Sequence, residues 1–176
     1  ATSRRQECLQ FAEWNYAHRG LWNTAEGVPE NSLPAFARAA EQGYAIELDI
    51  QITKDGRIVV FHDDTMKRMC GNEGKISDYT YEELQQFHLG DSTEKIPLLR
   101  EVLQTVDGRV PLLIEIKMPG LPRRSVRDFR RRWRGTPVCS AWNPSTAWPS
   151  AGAAATCRRR CAASFPAVFQ RMIRCI

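Results

Sequence analysis

Beyond Glu115 and Lys117 the chain has no further glutamate or lysine, and from residue 121 onward twelve arginines face the single Asp128. Histidine is scarce throughout, at three in 176 residues, and no His/Cys cluster has the spacing of a zinc site. No apolar run approaches the length of a membrane span, and the opening ATSRRQECLQ lacks the apolar core of a signal peptide. These absences read as a cytoplasmic protein without membrane insertion. What is present fits a globular chain, with 43% hydrophobic and 9% aromatic residues. The length suits one ordinary domain but falls short of the roughly 250 residues of a complete (β/α)₈ barrel.

The net charge of +5 averages two unlike parts. Residues 1–120 hold 13 Lys and Arg against 19 Asp and Glu, a balance of −6, while residues 121–176 stand at +11. Cysteine divides the same way, with Cys8 and Cys70 in the first part and Cys139, Cys157, Cys161 and Cys175 in the second. The chain is therefore read in two parts, 1–120 and 121–176.

Residues 14–117 alternate short apolar strands with amphipathic helices, the pattern of βαβ units and a parallel sheet. A first strand ends near Tyr16-Ala17-His18. Asn31 or Ser32 caps a helix with Pro34 in its first turn, and Leu33, Phe36, Ala37 and Ala40 repeat at helical spacing before Gly43. Further strands are predicted at 45–50, 58–61 and 111–117, the second and third joined by a Lys54-Asp55-Gly56 turn. An irregular excursion follows Asp64. Thr80-Tyr81-Glu82-Glu83 then opens a helix through Leu84 and Phe87 to Gly90, and a last helix carries Leu99, Val102, Leu103 and Val106 up to Asp107-Gly108. After Gly120 no helix or strand is legible.

The strands themselves carry charge. In Ile46-Glu47-Leu48-Asp49-Ile50 a period of two puts Glu47 and Asp49 on one face and the aliphatics on the other; Glu115 and Lys117 likewise share a face of the last strand. If the apolar faces pack against helices, these charges point into a barrel at its C-terminal rim. Inward carboxylates are costly unless paired or metal-bound, and three together make a hard-oxygen site for Ca²⁺ or Mg²⁺. A solvated strand end or an ion pair with Lys117 accounts for any one of them more simply than for all three. His18 and His62 each follow a strand and suit an acid/base pair near neutral pH. His88, beside Phe87, reads as structural. Arg19 and Lys117 could supply the positive charge a phosphate needs.

Ala17-His18-Arg19-Gly20, Pro29-Glu30-Asn31-Ser32, Glu47-Leu48-Asp49, Phe61-His62-Asp63 and Glu115-Ile116-Lys117, with the Asp55-Gly56 turn and Ile96-Pro97, resemble the glycerophosphodiester phosphodiesterases in order and spacing. The resemblance covers roughly residues 14–118. It implies an α/β fold, the N-terminal portion of a (β/α)₈ TIM-type barrel. It also implies hydrolysis of a small-molecule glycerophosphodiester to sn-glycerol 3-phosphate and an alcohol. His18 and His62 would be the general acid/base pair, Glu47, Asp49 and Glu115 would hold the divalent cation, Arg19 and Lys117 would bind the phosphate, and Glu30 would support the metal. Two other readings stay open. One is a related barrel phospholipase acting on intact lipid, disfavoured by the acidic first part. The other is a non-catalytic, basic-tailed nucleic-acid-binding protein, for which the arginines supply charge without a recognisable fold. No nucleic acid is expected.

Residues 121–176 depart from that pattern and read as an irregular, Arg-rich tail entered by a shifted frame between about Lys117 and Val138. A chain ending this way is expected to form an incomplete barrel, to leave Ile46, Ile50, Leu112 and Ile114 poorly covered, and to show little turnover. The genetic code supplies a test at Trp142-Asn143-Pro144-Ser145-Thr146. Two bases on, the last G of the Trp codon joins the first two bases of Asn as GAA, glutamate, and Glu-Ser-Phe-Asp becomes available, similar to the family's fifth-strand segment. Coding DNA around residues 117–145 should lead into a barrel-like alternative frame downstream; DNA without one would remove the frameshift reading.

Overall fold

The computed structural model describes residues 14–117 and the strand at 138–142. Strand β1 is Tyr16–His18, β2 Ala45–Ile52, β3 Ile58–Val60, β4 Leu112–Ile116 and β5 Val138–Trp142. The helices are α1 (Leu33–Glu41), α2 (Lys67–Cys70), α3 (Tyr81–Leu84) and α4 (Leu99–Val106). The sheet runs β1-β2-β4-β5 with every neighbour on that path parallel. The strands on that path follow the order of the chain and lie side by side without reversal, which is the order of a barrel and not of a doubly wound sheet.

Period two along β2 and β4 decides which face is covered. Ile46, Leu48 and Ile50 join Leu112, Ile114 and Ile116 in one buried cluster with Phe36, Ala39 and Ala40 of α1 and Leu99, Val102, Leu103 and Val106 of α4. The expectation of poor cover fails here. Ile46, Leu112 and Ile114 have no exposed surface and Ile50 is 1% exposed, because α1 and α4 lie across that face.

Helix α1 begins where its sequence says it should, with the Ser32 hydroxyl accepting from the Ala35 amide and Pro34 in the first turn. Asn31 is not the cap. The buried stripe is Ala35, Phe36, Ala39 and Ala40, so Ala37 lies beside the core and not in it. Helix α4 buries the four expected residues and ends at Asp107, in a left-handed conformation.

Two further readings are corrected by the structure. Strand β3 is not a parallel barrel strand: it pairs antiparallel with the far end of β2, Ile52 against Ile58 and Ile50 against Val60. The turn is closed by the Gly56 amide donating to Thr53 O at 2.9 Å. The helix opened by Thr80 ends after one turn at Leu84 instead of reaching Gly90. Leaving the helix there lets Leu89 enter a second buried cluster with Val59, Phe61, Met66, Ile76, Leu84, Ile96 and Leu98. The excursion after Asp64, short of regular structure, therefore has its own apolar core against one side of β3, while Val60 packs into the first core.

Strand β5 is the other departure, since it forms where no strand was legible; parallel pairing of Leu112 with Val138 through Ile116 with Trp142 sets its place. The remainder of the segment expected to be an irregular tail, and the basic triplets within it, lies outside the described residues. Among the described residues, no helix is long and apolar enough to cross a membrane.

Gly20 marks the tightest backbone approach. It takes φ 85°, and a Cβ there would lie 2.9 Å from the Cβ of Ala35 and 3.0 Å from its carbonyl carbon. Gly43 also has positive φ, 72°, but nothing lies within 4 Å. Gly43→Ala should cost only the left-handed backbone penalty, about 1 kcal/mol. Gly20→Ala should add an overpacking cost of about 1–3 kcal/mol because α1 must move away from β1. Urea denaturation of the two variants checks this, and equal losses would mean that α1 does not depend on this contact.

Candidate active site

Parallel register assembles the acidic face. Asp49 of β2 stands opposite Glu115 of β4, and Glu47 stands opposite His18 of β1. One oxygen from each of Glu47, Asp49 and Glu115 falls within 4.8 Å of the others. Asp49 has no exposed surface and Glu47 is 5% exposed. Neither oxygen of Asp49 nor Oε2 of Glu47 has a hydrogen-bond partner of good geometry among the described residues. Burial first, then the charges of Asp49 and Glu115, pushes the Glu47 carboxyl well above the usual carboxylate range. Buried oxygens of Glu47 and Asp49 that lack a hydrogen bond of good geometry fit a hard divalent cation, which takes oxygen ligands and offsets the repulsion.

Cations border the trio. Lys117 Nζ lies 3.2 Å from Asp49 Oδ1 and donates to the carbonyl of His62 at 3.3 Å. Arg19 Nε is 3.8 Å from Asp49 Oδ2 and is a buried donor without a hydrogen-bond acceptor among the described residues. The same guanidinium donates to Glu30 Oε1 from Nη1 at 2.9 Å. Arg19 adopts φ 61°, held by its amide donating to Glu47 O and its carbonyl accepting from the Asn31 amide, both at 2.9 Å. That conformation turns the chain directly after β1 and places its side chain over the sheet end.

The histidines reach the site by different routes. His18 ends β1, with Nε2 3.8 Å from Glu47 Oε2; burial, followed by the charge of Arg19, lowers its pKa. His62 arrives from the opposite direction. Strand β2 runs past the rim, turns, and β3 returns, so that the Phe61 amide donates to Asp49 O at 3.0 Å and His62 follows. His62 Nδ1 lies 2.7 Å from Asp63 Oδ1. Burial raises the Asp63 carboxyl, but hydrogen bonds from Arg68 and His62 outweigh it and hold it down at about 2, which leaves an ionised carboxylate able to accept from Nδ1. His88 is exposed beside Lys95, its Nε2 2.8 Å from Nζ, and touches none of these groups.

Glu30 is gripped by two arginines. Besides Arg19, Arg68 contacts it at 2.6 Å through Nη2 and 3.2 Å through Nη1. These hydrogen bonds and charges hold its carboxyl below the usual range although burial opposes them. Three residues near the site carry no functional assignment from the sequence. Asp63 was visible only as the neighbour of His62. Arg68 had no signal, because its partners lie 5 and 38 residues away. Asn31 was read as a helix cap; it is 2% exposed, and its side-chain amide has no partner among the described residues.

Comparison with known proteins agrees with this geometry. The sequence model of the glycerophosphoryl diester phosphodiesterase family matches residues 18–141, past the boundary drawn at residue 120. A glycerophosphodiester phosphodiesterase of Caldanaerobacter subterraneus subsp. tengcongensis is 40% identical over 127 residues, covering 65% of this chain and 51% of its own. Human glycerophosphodiester phosphodiesterase 1 is 33% identical over 139 residues, covering 70% and 41%. The chain spans about half the length of the curated relatives it matches. Among solved structures, a glycerophosphodiester phosphodiesterase of Thermotoga maritima superposes with TM-score 0.58 at 36% identity, over 71% of this chain and 52% of that one. A phosphodiesterase of Oleispira antarctica, solved with the product sn-glycerol-3-phosphate, superposes with TM-score 0.65 at 25% identity, over 90% and 65%. With that family model matching residues 18–141, well over half of the chain, the chain belongs to the glycerophosphoryl diester phosphodiesterase family.

Proposed function

We propose that this chain carries the front half of a metal-dependent site that hydrolyses glycerophosphodiesters to sn-glycerol 3-phosphate and an alcohol. The observation that carries the proposal is the convergence of buried Glu47 and Asp49 with half-buried Glu115, bordered by His18, Arg19 and Lys117.

Glu47, Asp49 and Glu115 would hold Ca²⁺ or Mg²⁺, which when bound supplies charge neutralisation for a phosphodiester and orientation for the glycerol hydroxyls. The Arg19 Nε donor and the Lys117 ammonium bind the non-bridging phosphate oxygens, and Glu30 keeps the Arg19 guanidinium in place. His18 and His62 flank that phosphate. One imidazole takes a proton from the nucleophile, water or a glycerol hydroxyl, as its oxygen bonds to phosphorus. The other gives a proton to the alcohol oxygen as the phosphorus–oxygen bond on that side breaks. With water as nucleophile, one water is consumed and one alcohol is released. Such positioned proton transfer contributes about 10²–10⁴-fold in rate.

Four outcomes are expected. Ca²⁺ or Mg²⁺ at about 100 times its dissociation constant should stabilise the protein by about 2.7 kcal/mol, a rise of roughly 5–10 °C in Tm. Glu47→Gln, which relieves repulsion in the metal-free protein, should raise the metal-free Tm and abolish the metal-dependent rise; a full rise in the variant removes Glu47 from the cation's ligands. Hydrolysis of sn-glycero-3-phosphocholine, followed by choline release, should stop in excess chelator, and undiminished turnover there would overturn the metal assignment. His62→Ala should lower kcat by about 10²–10⁴-fold with Tm nearly unchanged, since a rim side chain is lost and not a packed one. Near-normal kcat would end the paired acid/base role.

A further inference from the structure

Arg68 lies in the excursion after β3, on a single helical turn, and its side chain is about half exposed, at 48%. An arginine so placed is ordinarily a surface ion pair of little consequence for stability. Its geometry here is different. Nε donates to Asp63 Oδ2 at 2.7 Å and Nη2 to Asp63 Oδ1 at 2.9 Å, a two-pronged grip on one carboxylate. On the other side Nη2 and Nη1 reach both oxygens of Glu30, at 2.6 and 3.2 Å. The partners are far more enclosed than Arg68 itself, with side-chain exposures of 21% for Asp63 and 11% for Glu30.

Each gripped carboxylate orients a residue of the site. Asp63 Oδ1 faces His62 Nδ1 at 2.7 Å, and Glu30 Oε1 accepts from Arg19 Nη1 at 2.9 Å. One guanidinium therefore joins the residue that follows β3 to the loop that follows β1. The turn bearing it is anchored. Met66 is fully buried, its amide donates to Gly74 O at 2.9 Å, and Met69 O accepts from the Gly90 amide at 2.6 Å.

We propose that Arg68 is a positioning residue: it fixes the plane of the Asp63 carboxylate so that His62 is held with its proton on Nδ1 and Nε2 bare toward the substrate, and it braces Glu30 behind Arg19. The assignment rests on the catalytic reading of His62. It requires the planar fork of arginine, because a lysine ammonium is a point charge that cannot set the planes of two carboxylates together. Without Arg68, the Asp63 carboxylate turns freely toward water and His62 loses its fixed tautomer. The supporting partners of catalytic and metal-binding groups are commonly worth about 10–100-fold in activity.

The test reads the imidazole directly and needs no turnover. In protein labelled with ¹⁵N at histidine, above the pH at which His62 is neutral, its ring shifts should show one tautomer, protonated at Nδ1. Arg68→Gln should move them to a mixture of tautomers, as should Asp63→Asn, while Arg68→Lys should fall between. Since Arg68 is half exposed, these substitutions leave no cavity, and the amide spectrum reports whether each variant is folded; Arg68→Lys, which keeps the charge, decides the matter if Arg68→Gln does not fold. Where turnover is measured, Arg68→Gln should lower kcat about 10–100-fold with a much smaller change in KM. A folded variant that keeps the native His62 tautomer overturns the proposal. Absence of hydrolysis by the native protein would count against the catalytic reading alone, because the tautomer comparison still decides the role of Arg68.

Discussion

The pairing of β2 with β4 governs the rest of the structure. Its parallel register puts Asp49 opposite Glu115, and period two then sends Ile46, Leu48, Ile50, Leu112, Ile114 and Ile116 to the other face. A slip of one residue would exchange the faces, burying the carboxylates against α1 and α4 and exposing the aliphatics. The apolar face is therefore what makes the acidic face possible. Helices α1 and α4 supply the driving force for the sheet on one side, and on the other the sheet can carry charges that oppose one another.

Those charges are balanced incompletely by protein groups. Lys117 and Arg19 approach Asp49, yet its oxygens lack a hydrogen bond of good geometry among the described residues, and the Glu47 carboxyl is raised by its surroundings. A site left short of positive charge in this way favours a cation and an anionic phosphate together over either alone. The opposite balance holds a few residues away, where Arg68 and Arg19 surround Glu30 and hold it ionised. One half of the rim is thus poised to receive charge, and the other half is already saturated and rigid.

The legibility of individual elements follows from the range of the forces that shape them. Helix α4 is legible because its four apolar residues and its Asp107-Gly108 stop lie within a few residues of one another; the Glu101 carboxylate that accepts from the Leu98 amide appears only in the structure. Helix α3 is shorter than its sequence suggests: Thr80 and Glu83 do form their reciprocal cap, but the chain leaves the helix after Leu84, and Leu89 lies in a buried cluster with Met66 and Leu84. Strand β3 showed an apolar run with no mark of its direction, and β5 showed no strand pattern before its pairing with β4 placed it.

From the sequence by itself came the acidic face, the apolar face behind it, the histidine after β1 and the family resemblance, because each depends on alternation or on motifs a few residues long. The tertiary structure alone decided that His62 returns through an antiparallel hairpin, that Glu30 sits between two arginines, and that Arg68 ties Asp63 to it. These depend on the second apolar cluster, which sets the path of the excursion and brings together charges 38 residues apart in the chain. Periodicity reports which face a side chain takes, whereas a partner across such a loop is chosen by packing.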